Sequence, residues 1–336
     1  MDLGPVTRPS RPAAARRGGR GPAVAVAVAR TLLLLFLVSV AVFAATELLP
    51  GDAATQRATP GATEDQVADL RERLGLDQPA WWRYATWAGG LLTGDAGVSL
   101  VNGRPVAEAI AQRVPATAVL VSGALLLAAP AMLVLGWWGG AARRGRTVAA
   151  AVLTGGAAVP AVVVAGGSAA LLSGALGLVP PVSLLPPDRS PLAVPELLVL
   201  PVLSTAVPTA LFGAGLLAGA VRDTLARPHV ADAHRRGRPV WLVACVDVAP
   251  FLLAPFTRIL AISAGGLVAA ATVVETLFGY PGLGSLLVTS VAARDLPVIQ
   301  AGAMLAAAVV LAGLLAADLV AAATDPRAGR TQAGAR

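Results

Sequence analysis

The stretch VVETLFGYPGLG, residues 273–284, closes a long apolar run with a carboxylate, Glu275, and follows it with Pro281 and three glycines, Gly279, Gly282 and Gly284. A charge at membrane depth is expensive and usually functional, whereas the same charge at the end of a span costs little. The fold therefore turns on what the run before Glu275 is. The whole 336-residue chain is 56% hydrophobic and only 13% charged, with a mean hydropathy of +0.72. That is more apolar surface than one soluble core can hide. Apolar stretches near the ~20 residues needed to cross hydrocarbon recur at 24–48, 116–139, 147–176, 197–220, 256–280 and 298–321. The expected fold is an all-α polytopic membrane protein with six transmembrane helices, and Glu275 then ends the fifth span near one face.

The arginines orient the spans. All 26 basic residues are Arg; with the N-terminus inside, 18 lie on the inner side and 8 on the outer, which places both termini in the cytoplasm of a cell-membrane protein. The pI of about 11.1 has the same origin, since Arg clusters beside spans are the ordinary positive-inside signal rather than a nucleic-acid footprint. The Arg-rich start, the apolar run and VFAAT (42–46) also fit a cleaved signal peptide, but a multi-span protein follows, so the first span is read as retained. The single Cys245 allows no intramolecular disulfide and no Cys-based zinc cluster.

Along the chain, residues 1–22 read as a disordered Arg-rich cytoplasmic tail and 23–48 as the first transmembrane helix. Residues 49–115 form an extracytoplasmic loop with structure of its own. In it Thr63 and Gln66 form a capping box, Val67, Leu70 and Leu74 share a helical face, and Gly75 supplies the stop. Trp81, Trp82, Tyr84 and Trp87 follow, as an aromatic belt or a partner-docking surface. Residues 116–327 form the transmembrane core and 328–336 a cytoplasmic tail. The second outer loop, 177–196, carries six prolines and is expected to be extended. The inner segment 221–255 sets a charged helical half before Gly237 and an apolar half after it, with Pro239 placed to start a second helix against the membrane. Such a knob suits docking into a groove of a cytosolic partner.

Several stretches carry a family resemblance: TELLPGD (46–52), LRERLGLDQP (70–79), GLLTGDAGVSLVNGRPVAEAIAQRVPAT (90–117), AHRRG (233–237), VVETLFGYPGLGSLLVTSVAARDLPVIQ (273–300) and DLVAAATDPR (318–327). In this order they resemble the permease subunits of binding-protein-dependent ATP-binding-cassette importers, the dipeptide, oligopeptide and nickel group. The similarity runs from about 30 to 327, and is weak between 140 and 225. It implies a type I importer permease fold with a cytoplasmic coupling helix and no enzymatic chemistry. It implies partners as well: a second, related permease forming a heterodimer, two cytosolic ATP-binding subunits, and an extracytoplasmic solute-binding protein. The ATPase-coupling residues it implies are Ala233, His234, Arg235, Arg236, Gly237 and Pro255; the outer segment is Glu275, Pro281, Gly282 and Gly284. The chain departs from the family pattern in the coupling segment. Ala231 stands where the superfamily has Glu, Pro228 falls where the helix is expected to be running already, and Asp247, Pro250 and Phe251 replace more typical residues.

Two readings of Glu275 stand at this point: an interfacial acid held by local hydrogen bonds, or a carboxylate lining an outer vestibule. Asp318 is expected to snorkel or pair with Arg near the inner face, and Asp95 and Asp295 to shape turns or cap helices. Gly155, Gly156, Gly166, Gly167, Gly265 and Gly266 are expected to permit close helix packing, and Pro130, Pro160, Pro201 and Pro208 to kink spans. His229 and His234 have no ligand cluster, so neither a metal nor another cofactor is expected. An intramembrane enzyme would need a nucleophile with its base, or a metal motif, at membrane depth, and the chain has no Lys and places both His in the inner segment. A secondary transporter would carry a midplane acid and often inverted repeats, and neither is found. The solute is not legible. Small peptides are favoured over nickel or another small solute, because no His, Met or acidic series crosses the spans. A subunit that has lost ATPase coupling is the remaining alternative.

Overall fold

A computed structural model describes residues 20–48, 62–73, 77–142, 145–186 and 189–324. Most of the N-terminal tail, the tail at 328–336, Gly75, Leu74, Arg143, Arg144 and Pro187 lie outside the described residues, as does the side chain of Leu70. Among the described residues helices joined by loops make up the fold. Its elements are α1 (Arg20–Glu47), α2 (Glu64–Arg73), α3 (Ala80–Thr93), α4 (Val106–Ala141), α5 (Arg146–Ala157), α6 (Ala161–Ser168, continued by a π-helical turn Ala169–Ala175) and α7 (Val199–Leu225). They continue with α8 (Pro228–Arg235), α9 (Val240–Phe278), α10 (Leu283–Ala292) and α11 (Leu296–Thr324). Five helices are long and apolar enough to cross a membrane, and a sixth span results if the bent pair α5–α6 counts as one.

Three expectations about span limits need correction. The second span starts not at 116 but at Val106, because residues 106–115 are amphipathic: Val106 and Ile110 are buried against Leu283, Val298 and Ala301, while Glu108 faces out. Pro115 and Pro130 are carried inside α4 without ending it. The third span is not one straight helix, since α5 and α6 meet at 92°. The break falls at Pro160, which has no N–H to continue the ladder and caps α6 instead. The apolar half of the inner segment is no separate helix against the membrane. It is the first part of α9, which runs 39 residues without a break. A π-helical stretch, Val243–Val248, marks the junction. Its wider turn accommodates Pro250, whose ring would otherwise clash with a carbonyl one turn back.

At the centre α4 packs along α7, with α5 and α9 on the flanks of α7. Small residues set how closely this pair approaches: a Cβ on Gly140 would lie 2.6 Å from Val221 Cβ, and one on Gly213 would lie 2.5 Å from Met132 Sδ. Helices without a hydrophobic drive between them gain from such close contact. The glycines expected to serve this purpose largely do not. Gly155, Gly166, Gly167 and Gly266 face open space; only Gly156, against Leu211, and Gly265, against Val310, touch a neighbour.

α1 and α11 lie side by side at the periphery, tied near one end by Arg30 to Asp318 and near the other by Gln300 Nε2 donating to Thr46 Oγ1 at 2.7 Å. Asp318 is thus the Arg-paired acid the sequence suggested. The capping box forms as well: Thr63 N donates to Gln66 Oε1 at 3.0 Å and Gln66 N to Thr63 Oγ1 at 3.4 Å. The four aromatic residues of α3 divide their work. Tyr84 and Trp87 pack on Phe43 of α1, whereas Trp81 and Trp82 remain exposed. The Pro-rich loop is extended up to Pro186 but then makes two 3-10 turns, Pro191–Ala193 and Pro195–Leu197.

Candidate functional site

Functional geometry collects at the two ends of α9, named outer and inner after the orientation that the arginine distribution predicts. At the outer end the helix stops at Phe278 because Gly279 takes a left-handed conformation, φ 67°, while Tyr280 N donates to Glu275 O at 2.8 Å. Pro281 follows, and α10 folds back on α9. Glu275 has no exposed surface. Thr117 Oγ1 donates to its Oε1 at 2.6 Å, and Ser285 N donates to its Oε2 at 3.1 Å. Thr117 in turn accepts Leu283 N at 2.7 Å, so one hydroxyl links α4, α9 and the start of α10. Tyr280, also fully buried, donates its hydroxyl to Ala116 O at 2.9 Å.

The two glycines of this turn are fixed by space. A Cβ on Gly282 would sit 2.2 Å from the Glu275 carboxyl, and one on Gly284 would sit 2.4 Å from Thr272 Cα. The structure therefore brings Glu275, Gly282 and Gly284 into one packed knot, with the carboxylate turned inward and both oxygens occupied. Pro281 lies at the edge of the knot, on a cavity described below.

A second clasp adjoins it. Asp295 is buried and accepts the Ser99 hydroxyl and Leu100 N, the latter at 2.9 Å. Asp95 does shape a turn, accepting Gly97 N at 2.9 Å, but Asp295 instead binds a loop almost two hundred residues away in sequence. Sequence reasoning missed this role, and it singled out neither Thr117 nor Tyr280. The only signal for Thr117 is its place at the end of GLLTGDAGVSLVNGRPVAEAIAQRVPAT; Asp295 and Ser99 likewise lie in family-like stretches, but nothing in the sequence pairs them, because they are remote.

At the inner end, α8 begins at Pro228, its first helical residue. The proline that seemed to interrupt the coupling helix is its start, where a missing N–H costs nothing. Val230 and Ala233 are buried among Leu217, Val221, Val243 and Val248. Ala231, His234, Arg235 and Arg236 stay exposed, and Arg235 pairs with Asp232. Gly237, φ 73°, turns the chain, and Arg238 Nη1 reaches Asp247 Oδ2 at 3.0 Å. His229 Nε2 lies 3.1 Å from Asp247 O, and the Arg227 guanidinium sits 4.6 Å over the Phe251 ring. The unusual Asp247 and Phe251 thus brace the knob from within. Pro255 does not join this turn; it lies inside α9, on the membrane side of the π-helical stretch.

The knob borders a cavity of about 940 Å³ lined by Trp137, Arg146, Arg222, Leu225, His234 and Val243, among others. At the outer end a cavity of about 450 Å³ opens beside the knot. Among the described residues no group of three His, Cys, Asp or Glu side chains is arranged to hold a metal ion.

Comparisons with known proteins agree across the chain. Residues 132–330 match the family "Binding-protein-dependent transport system inner membrane component", and residues 24–121 match "Binding-prot-dependent transport system membrane comp, N-term". Among similar proteins, the probable D,D-dipeptide transport system permease protein DdpB of Escherichia coli (strain K12) is 29% identical over 322 residues, covering 89% of this chain and 95% of that one. A putative peptide transport system permease protein of Brucella abortus (strain 2308) is 30% identical, covering 89% of this chain and 96% of that one. The glutathione transport system permease protein GsiC of Salmonella paratyphi A (strain ATCC 9150 / SARB42) is 32% identical, with 87% of this chain and 94% of that protein covered.

Proposed function

This chain belongs to the family of binding-protein-dependent transport system inner membrane components, and from that premise we propose that it forms half of the translocation pathway of an ATP-driven importer of small peptides. The family is one of multi-pass transport permeases rather than enzymes, and membership implies a binding protein and ATPase partners. The observation that carries the finer reading is the inner knob. A short cationic helix, α8, is anchored by Val230 and Ala233 and leaves Ala231, His234, Arg235 and Arg236 free to meet another protein. His234, Arg235, Arg236 and Gly237 form the surface that receives the ATPase, and the buried Ala233 fixes it to the core. Pro255, inside α9, belongs to the lever that connects the surface to the membrane.

Because α9 is continuous from Val240 to Phe278, a displacement of the knob reaches the outer knot through one helix. A partner that drives this motion must bind the two states of the transporter with different affinity. The ATPase pair supplies that difference when it closes on ATP. The second half of the pathway is a related permease, both termini are cytoplasmic, and the chain divides as 1–22 tail, 23–48 first transmembrane helix, 49–105 outer loop, 106–327 permease core with the coupling segment 221–255, and 328–336 tail. The names of the relatives, which include dipeptide, peptide and glutathione systems, support small peptides as the solute. Glu275, Pro281, Gly282 and Gly284 hold the outer end of the lever in shape.

The test is purification from the native membrane in mild detergent, with identification of bound proteins by mass spectrometry and an ATPase assay of wild type and Gly237→Pro. A second permease and ATPase subunits are expected, with ATPase stimulation by the loaded binding protein lost in the variant. Recovery of the chain without an ATPase would overturn the reading.

A further inference from the structure

The 450 Å³ outer cavity lies between α4 and the Pro-rich loop and is lined by Gln112, Arg113, Ala116, Arg189 and Pro281, among others. Two guanidinium groups from separate elements share it. Neither makes an ion pair with a described residue. Arg113 lies within electrostatic reach of Glu275, yet that carboxylate is enclosed and its oxygens are already engaged by Thr117 and Ser285. Gln112 is turned to Glu108, 3.2 Å away. Two like charges on one cavity repel, and the repulsion is relieved by an anion between them. Guanidinium suits a carboxylate especially, because its planar donors match the two oxygens. The wall is stiff: Pro115, Pro186, Pro191 and Pro281 contribute to it, so little order has to be gained on binding. The volume is in the range of small-ligand pockets, roughly 300–1,000 Å³.

Resting on the peptide-import reading, we propose that this cavity takes the C-terminal carboxylate of the incoming peptide, held between Arg113 and Arg189. Ala116 and Pro281, which line the cavity, also flank the knot at the end of α9. Occupancy is therefore felt at the outer end of the lever.

The test uses the whole importer in proteoliposomes, supplied with saturating loaded binding protein, and compares tri-alanine with its C-terminal amide. Arg113→Gln combined with Arg189→Gln is expected to lower import of the free acid about tenfold, the scale of a lost charge-assisted contact, and to leave import of the amide unchanged. The Arg113→Lys, Arg189→Lys pair recovers part of the acid import. The binding-protein concentration for half-maximal ATPase stimulation stays the same. Equal loss for both peptides, or no loss for either, overturns the proposal. A raised half-maximal concentration also overturns it, assigning the arginines to acidic groups of the binding protein. If the wild-type importer carries neither peptide, the functional reading itself fails and this inference goes with it; wild-type import with an insensitive double variant removes the inference alone.

Discussion

The two ends of α9 are built in opposite ways. At the outer end a carboxylate and a phenol are buried and paired, a half-buried threonine hydroxyl binds the carboxylate, and glycines let α10 press against the helix. At the inner end two small apolar residues hold a helix whose polar face is left open. The outer knot satisfies itself; the inner knob is incomplete without a partner. A polar group in a dry site must find its partner within the chain, whereas a group kept in water is free to exchange water for another protein. In the proposed function this difference separates the end that keeps its shape from the end through which energy enters.

Substitutions at four positions break or sharpen this contrast. The largest effect is expected for Gly284→Val. Its Cβ would meet the backbone of α9 at Thr272, which cannot move aside, so a loss of about 3 kcal/mol or more is read as a lower melting temperature and poor recovery of folded protein. Next is Glu275→Ala, which leaves Thr117 and Ser285 without their acceptor. It costs about 2–3 kcal/mol in the same melting experiment. Glu275→Gln costs less, since one amide oxygen still accepts; an equal loss in the two variants would show that the charge rather than the acceptor matters.

At the inner end Gly237→Ala strains a residue with φ 73° by about 1 kcal/mol. The melting temperature is expected to shift by no more than a few degrees, while stimulation of ATPase activity by the loaded binding protein falls severalfold. An unchanged stimulation would mean that the turn is not part of the coupling surface. The smallest effect belongs to Asp318→Asn. Its pair with Arg30 is partly exposed, Arg30 at 55% and Asp318 at 33%, so the change is under about 1 kcal/mol and transport is retained.

Much of the architecture was legible because the bilayer imposes length and polarity on each span. The limits of the first, fourth and last spans fall within a few residues of those read from hydropathy. The errors were made where a local signal competes with the tertiary environment. Pro160 bends its span by as much as 92°, capping α6 after α5 has already stopped rather than kinking one continuous helix. Pro228, which departs from the family pattern, starts α8, and the close packing expected of Gly166 and Gly167 is made by glycines of α4 and α7 instead. Proline and glycine announce that something special happens; they do not say which. Glu275 was marked out by its position in an apolar run, yet its partner Thr117 lies 158 residues away.

By itself the sequence determined the solvent of this protein, the places of its apolar segments, and its family, since these rest on composition, on periodicity and on motifs contiguous in the chain. Only the tertiary structure decided that the outer acid faces inward, that Asp295 clasps the Ser99 loop, that two arginines share one cavity, and that knob and knot stand on a single helix. Each of these depends on which remote segments meet, and a hydrogen bond or a steric contact exists only once that meeting has been fixed.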